Sequence, residues 1–302
     1  MYIYALPIFL IVLFTASCSL TQSSKEIDSG IESKGDKTVK VYKTIGDISL
    51  KIQLYYPEGH KPSDKRPAIV LFFGGGWKHG DIAQFKTHSQ YLASRGMVAM
   101  CADYRVEEKH GATPFECVKD AKSAIRWVRI NADRLGVDPE RIAAGGGSAG
   151  GHIAATAGII AGLEEDNEDL SVSSKPDALV LFNPVLDNGP DGYGYDRIKE
   201  RYPEISPIHN IQSEVPPSIV FLGTSDKIAP VSTAEKFKRL VEKTGSRCDL
   251  IFYEGQPHGF FNLKKGGPKI YAETFYDMDL FLTSLGYLEG PPTIDIPKED
   301  DI

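Results

Sequence analysis

From residue 38 onward the chain alternates between two hydrophobic patterns. Short, largely apolar runs fall at 68–73, 97–102, 141–144, 178–182, 218–222 and 249–253. Runs of this length with no polar alternation mark strands buried on both faces. Between them lie helical periods. In 114–135, Val118, Ala121, Ile125 and Val128 recur at three- and four-residue steps, with Lys119, Lys122, Arg126 and Arg129 interleaved, which predicts a half-buried amphipathic helix. Further helices are expected at 84–95, 149–162, 233–244 and 268–285. Two opening strands, 38–43 and 48–55, are joined at Gly46-Asp47, a hairpin signal. Strands alternating with helices predict an α/β fold: a mostly parallel sheet of about eight strands, helices on both faces, and an antiparallel hairpin at one edge.

The ends of the chain read differently. Residues 2–14 are apolar and nearly uncharged, and Thr15, Ala16, Ser17 and Cys18 follow. The run is shorter than the roughly 20 residues of a membrane span, and closing on small residues it reads as a signal peptide, residues 1–17. A buried N-terminal helix is the competing reading. It conflicts with the stretch up to residue 37, rich in Ser, Lys, Glu and Asp, which has no apolar face to pack and reads as a flexible tether, 18–37. The segment resembles a bacterial lipoprotein signal, with ordinary secretion as the alternative. That resemblance implies a lipidated Cys18, membrane attachment through it, and an extracytoplasmic address on the periplasmic or outer-membrane side. The catalytic domain is expected at 38–287, and the Pro-rich, acidic residues 288–302 as a disordered tail.

Composition narrows the function. A net charge of −7 over 302 residues leaves no basic footprint for a nucleic-acid partner. Cys101, Cys117 and Cys248 are scattered through apolar or helical patterns and read as small core hydrophobes. One disulfide is open to them, with no pair selected. No His/Cys/Asp/Glu spacing suggests a metal site, and no cofactor is expected.

The chemistry centres on Gly146-Gly147-Ser148-Ala149-Gly150, directly after a strand and before a helical pattern. This is a G-x-S-x-G turn in the context that gives the motif meaning. A strand turning sharply into a helix leaves no room for side chains beside the serine. The turn lifts the hydroxyl above the strand ends, at a helix N-terminus that favours developing negative charge. A glycine-rich dinucleotide turn is the alternative. It lacks an acidic residue about twenty positions on and lies in mid-chain rather than after the first strand.

Acyl transfer at a serine needs donors for the oxyanion. One is the N–H of Ala149; the second is expected from the loop Gly74-Gly75-Gly76-Trp77 after the 68–73 strand. The acid and base are expected to follow in that order. Asp226 comes after the 218–222 strand and His258 after the 249–253 strand, so the predicted triad is Ser148, Asp226 and His258. Asp187 and Asp191 are secondary candidates for the acid. His152, one turn past Ser148, is expected to pack or bond within its own helix. His60, His79, His88, His110 and His209 are expected on loops or helix surfaces, solvated.

With these residues in place, the chain resembles the α/β-hydrolase serine esterases, in particular the bifunctional feruloyl/acetyl xylan esterase-like and hormone-sensitive-lipase-like carboxylesterases. The resemblance covers about 39–286. It rests on Gly74–Trp77, Asp103-Tyr104-Arg105, Asp120 with Ala121 and Trp127, Gly146–Gly151, Asp226 and Pro257-His258-Gly259. It implies that Gly75 and Gly76 supply oxyanion donors. Where that family carries a histidine before the three glycines, this chain has Phe73, which puts the support of the loop in question. The cap common in hormone-sensitive-lipase-like enzymes is expected to be small or missing. The only sizeable insert on the active-site side is 186–217, with Tyr193, Tyr195 and Tyr202. The implied activity is removal of short acyl groups, acetyl or feruloyl, from a small-molecule or polysaccharide ester. The alternatives are a serine exopeptidase-like hydrolase, whose relatives carry a large N-terminal propeller for which this length leaves no room, or an inactive fold serving as a binding protein.

Overall fold

The computed structural model describes residue 1 and residues 37–298. The predicted signal peptide, Cys18 and all but the last residue of the predicted tether lie outside the described residues. In chain order the elements are β1 (Lys37–Ile45), β2 (Ile48–Tyr55), β3 (Arg66–Phe72), α1 (Lys86–Ser94), β4 (Val98–Ala102), α2 (Glu107–His110), α3 (Pro114–Ile130), α4 (Ala132–Leu135), β5 (Val137–Gly147) and α5 (Ala149–Ile159). There follow β6 (Ala178–Phe182), α6 (Tyr195–Ile198), β7 (Ser218–Gly223), α7 (Val231–Lys243), β8 (Cys248–Tyr253) and α8 (Leu263–Ser284).

All eight strands form one sheet in the order β1-β2-β4-β3-β5-β6-β7-β8. The hairpin β1–β2 and the β2–β4 pair are antiparallel; every other pair is parallel. The register aligns the carboxyl ends. Phe72 pairs with Gly146, Gly147 with Phe182, Phe182 with Phe221, and Gly223 with Tyr253. The loops after β3, β5, β6, β7 and β8 therefore leave from one edge, where ligands collect in open α/β sheets. Strand alternation divides the core in two. Val70 and Phe72 of β3 join a cluster with α3, α5 and α7, whereas Ile69 and Leu71 join another with α1 and α8.

Element boundaries differ from expectation where side chains or backbone bends intervene. The helix predicted to reach residue 135 ends at Ile130. The Asn131 side chain donates to the Trp127 carbonyl at 2.8 Å, and a separate short α4 follows. Its start is as the sequence implies: Pro114 in the first turn, with Thr113 and Glu116 forming a capping box. The helix predicted from 268 begins at Leu263 and kinks at Gly267 (φ 76°) before Pro268.

The tail expected to be disordered from residue 288 is instead held over its first residues. Leu288 is buried, Arg95 donates to the carbonyls of Glu289 and Gly290, and the Thr293 N–H donates to the Tyr91 hydroxyl. Proline-rich composition argued for disorder, but an arginine 194 positions away supplies bonds that composition does not reveal. Cys101, Cys117 and Cys248 are buried free thiols. Burial pushes Cys101 and Cys248 up to about 12, which keeps them protonated and unreactive.

Candidate active site

The sharp turn between β5 and α5 is enforced by close backbone approach. A Cβ at Gly146 would lie 2.4 Å from the Phe72 carbonyl oxygen, and one at Gly150 only 2.1 Å from the same atom. Between them Ser148 takes φ 54°, ψ −117°, a strained conformation for a residue with a side chain. The turn is pinned from both sides. The Ser148 N–H donates to the Phe182 carbonyl at 2.9 Å, and its own carbonyl accepts from the His152 N–H at 2.9 Å. Ala149 is the first residue of α5, where backbone N–H groups have no partner within the helix.

The structure brings the three predicted triad residues together. Ser148 Oγ lies 2.9 Å from His258 Nε2, and His258 Nδ1 lies 2.7 Å from Asp226 Oδ2. The other carboxylate oxygen, Oδ1, accepts the N–H groups of Ile228 (2.8 Å) and Ala229 (2.9 Å). With both oxygens engaged and its side chain out of solvent, Asp226 fixes the Nδ1–H tautomer and leaves the Nε2 lone pair facing the serine hydroxyl. Asp187 and Asp191 do not compete. Asp187 Oδ1 accepts the Gly189 N–H at 2.8 Å, and both residues line a neighbouring pocket.

Asn183, which the sequence reading passed over, completes this arrangement. It follows β6 with φ 34° and is fully buried. Its Oδ1 accepts the Gly259 N–H at 3.1 Å, so its Nδ2 faces His258 Nε2, 3.4 Å away. A polar residue at the carboxyl end of a central strand was the available signal.

The glycine loop abuts the serine: a Cβ on Gly74 would lie 3.3 Å from Ser148 Cβ. The Gly74 N–H is taken by Gln84 Oε1 at 2.7 Å. No hydrogen bond engages the N–H of Gly75 or Gly76 among the described residues, and both glycines line the cleft with Ser148. Gly75 (φ 137°) and Gly76 (φ 63°) require a backbone that side chains resist. The place of the missing histidine is filled otherwise. Tyr104 stacks on Phe73 at 4.2 Å and donates its hydroxyl to the Phe73 carbonyl at 2.8 Å.

Trp77 locks the far end of the loop. It is fully buried, and its indole N–H donates to His152 Nδ1 at 3.3 Å. His152 Nε2 then donates to the Ile205 carbonyl at 2.9 Å. His152 therefore bonds across to the loop and to the insert, not within its own helix as expected. Burial holds it down at about 4, so it stays neutral with the proton on Nε2. Arg197 of the insert donates to the Gly76 carbonyl, pairs with Glu107 at 2.6 Å, and stacks over Trp77. His88 is a second correction. Expected in solvent, it is 2% exposed, stacked on Phe275 at 4.2 Å, with neither ring nitrogen bonded.

The cleft above Ser148 holds about 610 Å³ and is walled by Gly76, Tyr193, Ile228, Phe261, Asn262 and Lys265 among others. No group of His, Cys, Asp and Glu able to hold a metal occurs among the described residues. A serine hydroxyl facing an oriented imidazole, beside unpaired N–H groups, is suited to addition at an acyl carbon and charge stabilisation on its oxygen.

The chain is similar to known esterases. The family model described as BD-FAE matches residues 52–190. The esterase 2 of Thermogutta terrifontis with propionate bound superimposes with a TM-score of 0.81 at 45% identity, over 86% of this chain and 97% of that one. The same esterase phosphorylated by paraoxon matches with a TM-score of 0.81 at 46% identity, over 86% of this chain and 97% of that one. Esterase LipC of Mycobacterium tuberculosis is 33% identical over 250 residues, 75% of this chain and 62% of LipC. The chain thus spans less than two thirds of that relative's length.

Proposed function

We propose that this chain, which belongs to the α/β-hydrolase serine esterases, removes short acyl groups, acetyl or feruloyl in type, from carbohydrate esters outside the cytoplasm. The observation that carries the chemistry is the 2.9 Å contact between Ser148 Oγ and His258 Nε2, with His258 held by Asp226 at 2.7 Å. Ser148 attacks the ester carbonyl as its proton passes to Nε2. The N–H groups of Ala149, Gly75 and Gly76 receive the oxyanion. Nε2–H protonates the departing alcohol, and the acyl-serine is then cleaved by water that gives up its proton to the same nitrogen. Short acyl groups are supported by the propionate held by the Thermogutta relative. An open cleft, and an apolar run before Cys18 read as a signal peptide over residues 1–17, suit bulky, water-soluble esters met at a cell surface.

The test is a panel of p-nitrophenyl esters of increasing chain length beside acetylated and feruloylated oligosaccharides. We expect the highest kcat/KM on two- to four-carbon acyl groups, turnover of at least one class of oligosaccharide ester, and loss of both in Ser148→Ala. Cleavage confined to long-chain esters overturns the substrate reading. For the address, the full-length chain expressed in a bacterial host is expected to partition into the detergent phase, and Cys18→Ala into the aqueous phase; aqueous partitioning of both removes the anchor.

A further inference from the structure

Beside the catalytic cleft lies a second pocket of about 220 Å³. Tyr193 and Ile228 line both spaces and so form the partition between them. We propose that this pocket is the leaving-alcohol subsite and takes one neutral, polyhydroxylated ring, a single sugar residue. The proposal rests on the carbohydrate-ester reading above and deepens it.

Its place relative to the triad argues for the alcohol side. The Ile228 N–H donates to Asp226 Oδ1, so Ile228 stands on the edge of the cleft that holds His258. Leaving-group protonation happens at His258 Nε2, so whatever is attached to the departing oxygen extends over this edge.

The lining selects the chemistry. The pocket walls include the polar residues Asp187, Asp191, Lys227 and Thr233 beside the apolar Val185, Leu186 and Ile228 and the aromatic Tyr193. The second oxygen of Asp187 and the side chains of Asp191 and Thr233 make no hydrogen bond among the described residues. Acceptors and donors interleaved with apolar patches match a sugar ring, whose hydroxyls lie at the rim and whose C–H groups face outward. An alkyl chain is disfavoured, because two carboxylates would be desolvated against methylenes with nothing in return. A fixed cation is disfavoured by Lys227 in the same small space. Tyr193 is positioned for contact with the ring. Its hydroxyl sits 2.9 Å from where a Cβ on Gly76 would lie, and its ring packs on the buried Trp77 at 5.5 Å.

The experiment measures kcat/KM of the full chain for a mono-acetylated methyl xyloside, for acetylcholine and for p-nitrophenyl acetate. It is repeated in Asp191→Asn and Thr233→Val. Because two substrates are compared on one preparation, their ratio does not depend on the fraction of folded protein. We expect the xyloside to p-nitrophenyl acetate ratio to fall about tenfold in Asp191→Asn and about threefold in Thr233→Val, through KM for the xyloside. Ratios unchanged within experimental error overturn the subsite while the carbohydrate-ester reading stands. A wild-type protein that cleaves p-nitrophenyl acetate but no acetylated glycoside overturns both. Preference for acetylcholine, lost in Asp191→Asn, overturns the polyol assignment in favour of a cationic alcohol.

Discussion

The two faces of the sheet support the same serine by different means. On the α5 face, directional bonds do the work: Tyr104 to the Phe73 carbonyl, Trp77 to His152, and His152 to Ile205. On the α1–α8 face the support is a stack of rings. Phe261 packs on Phe85 at 5.4 Å and on Phe182 at 5.1 Å, and a Cβ on Gly147 would collide with the Phe261 ring. Each face buries one histidine, and the pair shows the contrast. His152 has both ring nitrogens bonded; His88 has neither, and lies among Phe85, Phe182, Phe275 and Tyr271. The bonded face aims N–H groups, which requires orientation. The aromatic face fills volume and excludes water, which requires only shape.

Removing Trp77 attacks the oriented face at its centre and has the largest expected effect. Trp77→Ala deletes a fully buried indole, a change that costs about 3–5 kcal/mol of stability. It also frees the loop that carries Gly75 and Gly76. Loss of an aligned oxyanion donor lowers kcat by about 10²–10³, and kcat on p-nitrophenyl acetate, counted per phosphonylated site, measures it. A fall of less than tenfold in a folded variant would show that the loop holds itself.

The aromatic face is tested by acid. Burial holds His88 at about 3 against an ordinary value of 6.5, so the folded state keeps it neutral while the unfolded chain binds a proton below pH 6.5. Stability is therefore fully present above pH 6.5, falls as pH drops toward 3, and levels off below it. At pH 5 the loss from His88 is about 2 kcal/mol. In His88→Phe, which suits the ring stack, the difference in unfolding free energy between pH 7 and pH 5 is expected to shrink by about that amount. His152, held at about 4, keeps its own share. Equal acid sensitivity in the variant and the parent would mean that His88 is hydrated in the folded state.

Much of this was legible because the signals were local. The run 178–182 corresponds to β6 residue for residue, and a G-x-S-x-G turn needs no distant partner to be recognised. The acid and base could be placed because each follows a strand in chain order. What escaped was decided by residues far apart. The bond from Trp77 to His152 spans 75 positions, and the Tyr104 hydroxyl reaches back 31 to Phe73. His88 sits beside Lys86, Thr87 and Gln90, a polar setting that suggests solvent until α8 is packed over it. Asn183 stands out as a polar residue at the end of a central strand, but its partner, the Gly259 N–H, follows only from the meeting of the loops after β6 and β8.

The central claim is that Ser148 is the nucleophile of the Ser148–His258–Asp226 set. Its most direct test is intact-protein mass spectrometry after exposure to a fluorophosphonate, with the modified peptide sequenced. One adduct per chain, on Ser148, formed in step with loss of esterase activity and absent from Ser148→Ala, is the predicted result. An adduct on another residue, or esterase activity surviving in Ser148→Ala, would contradict it.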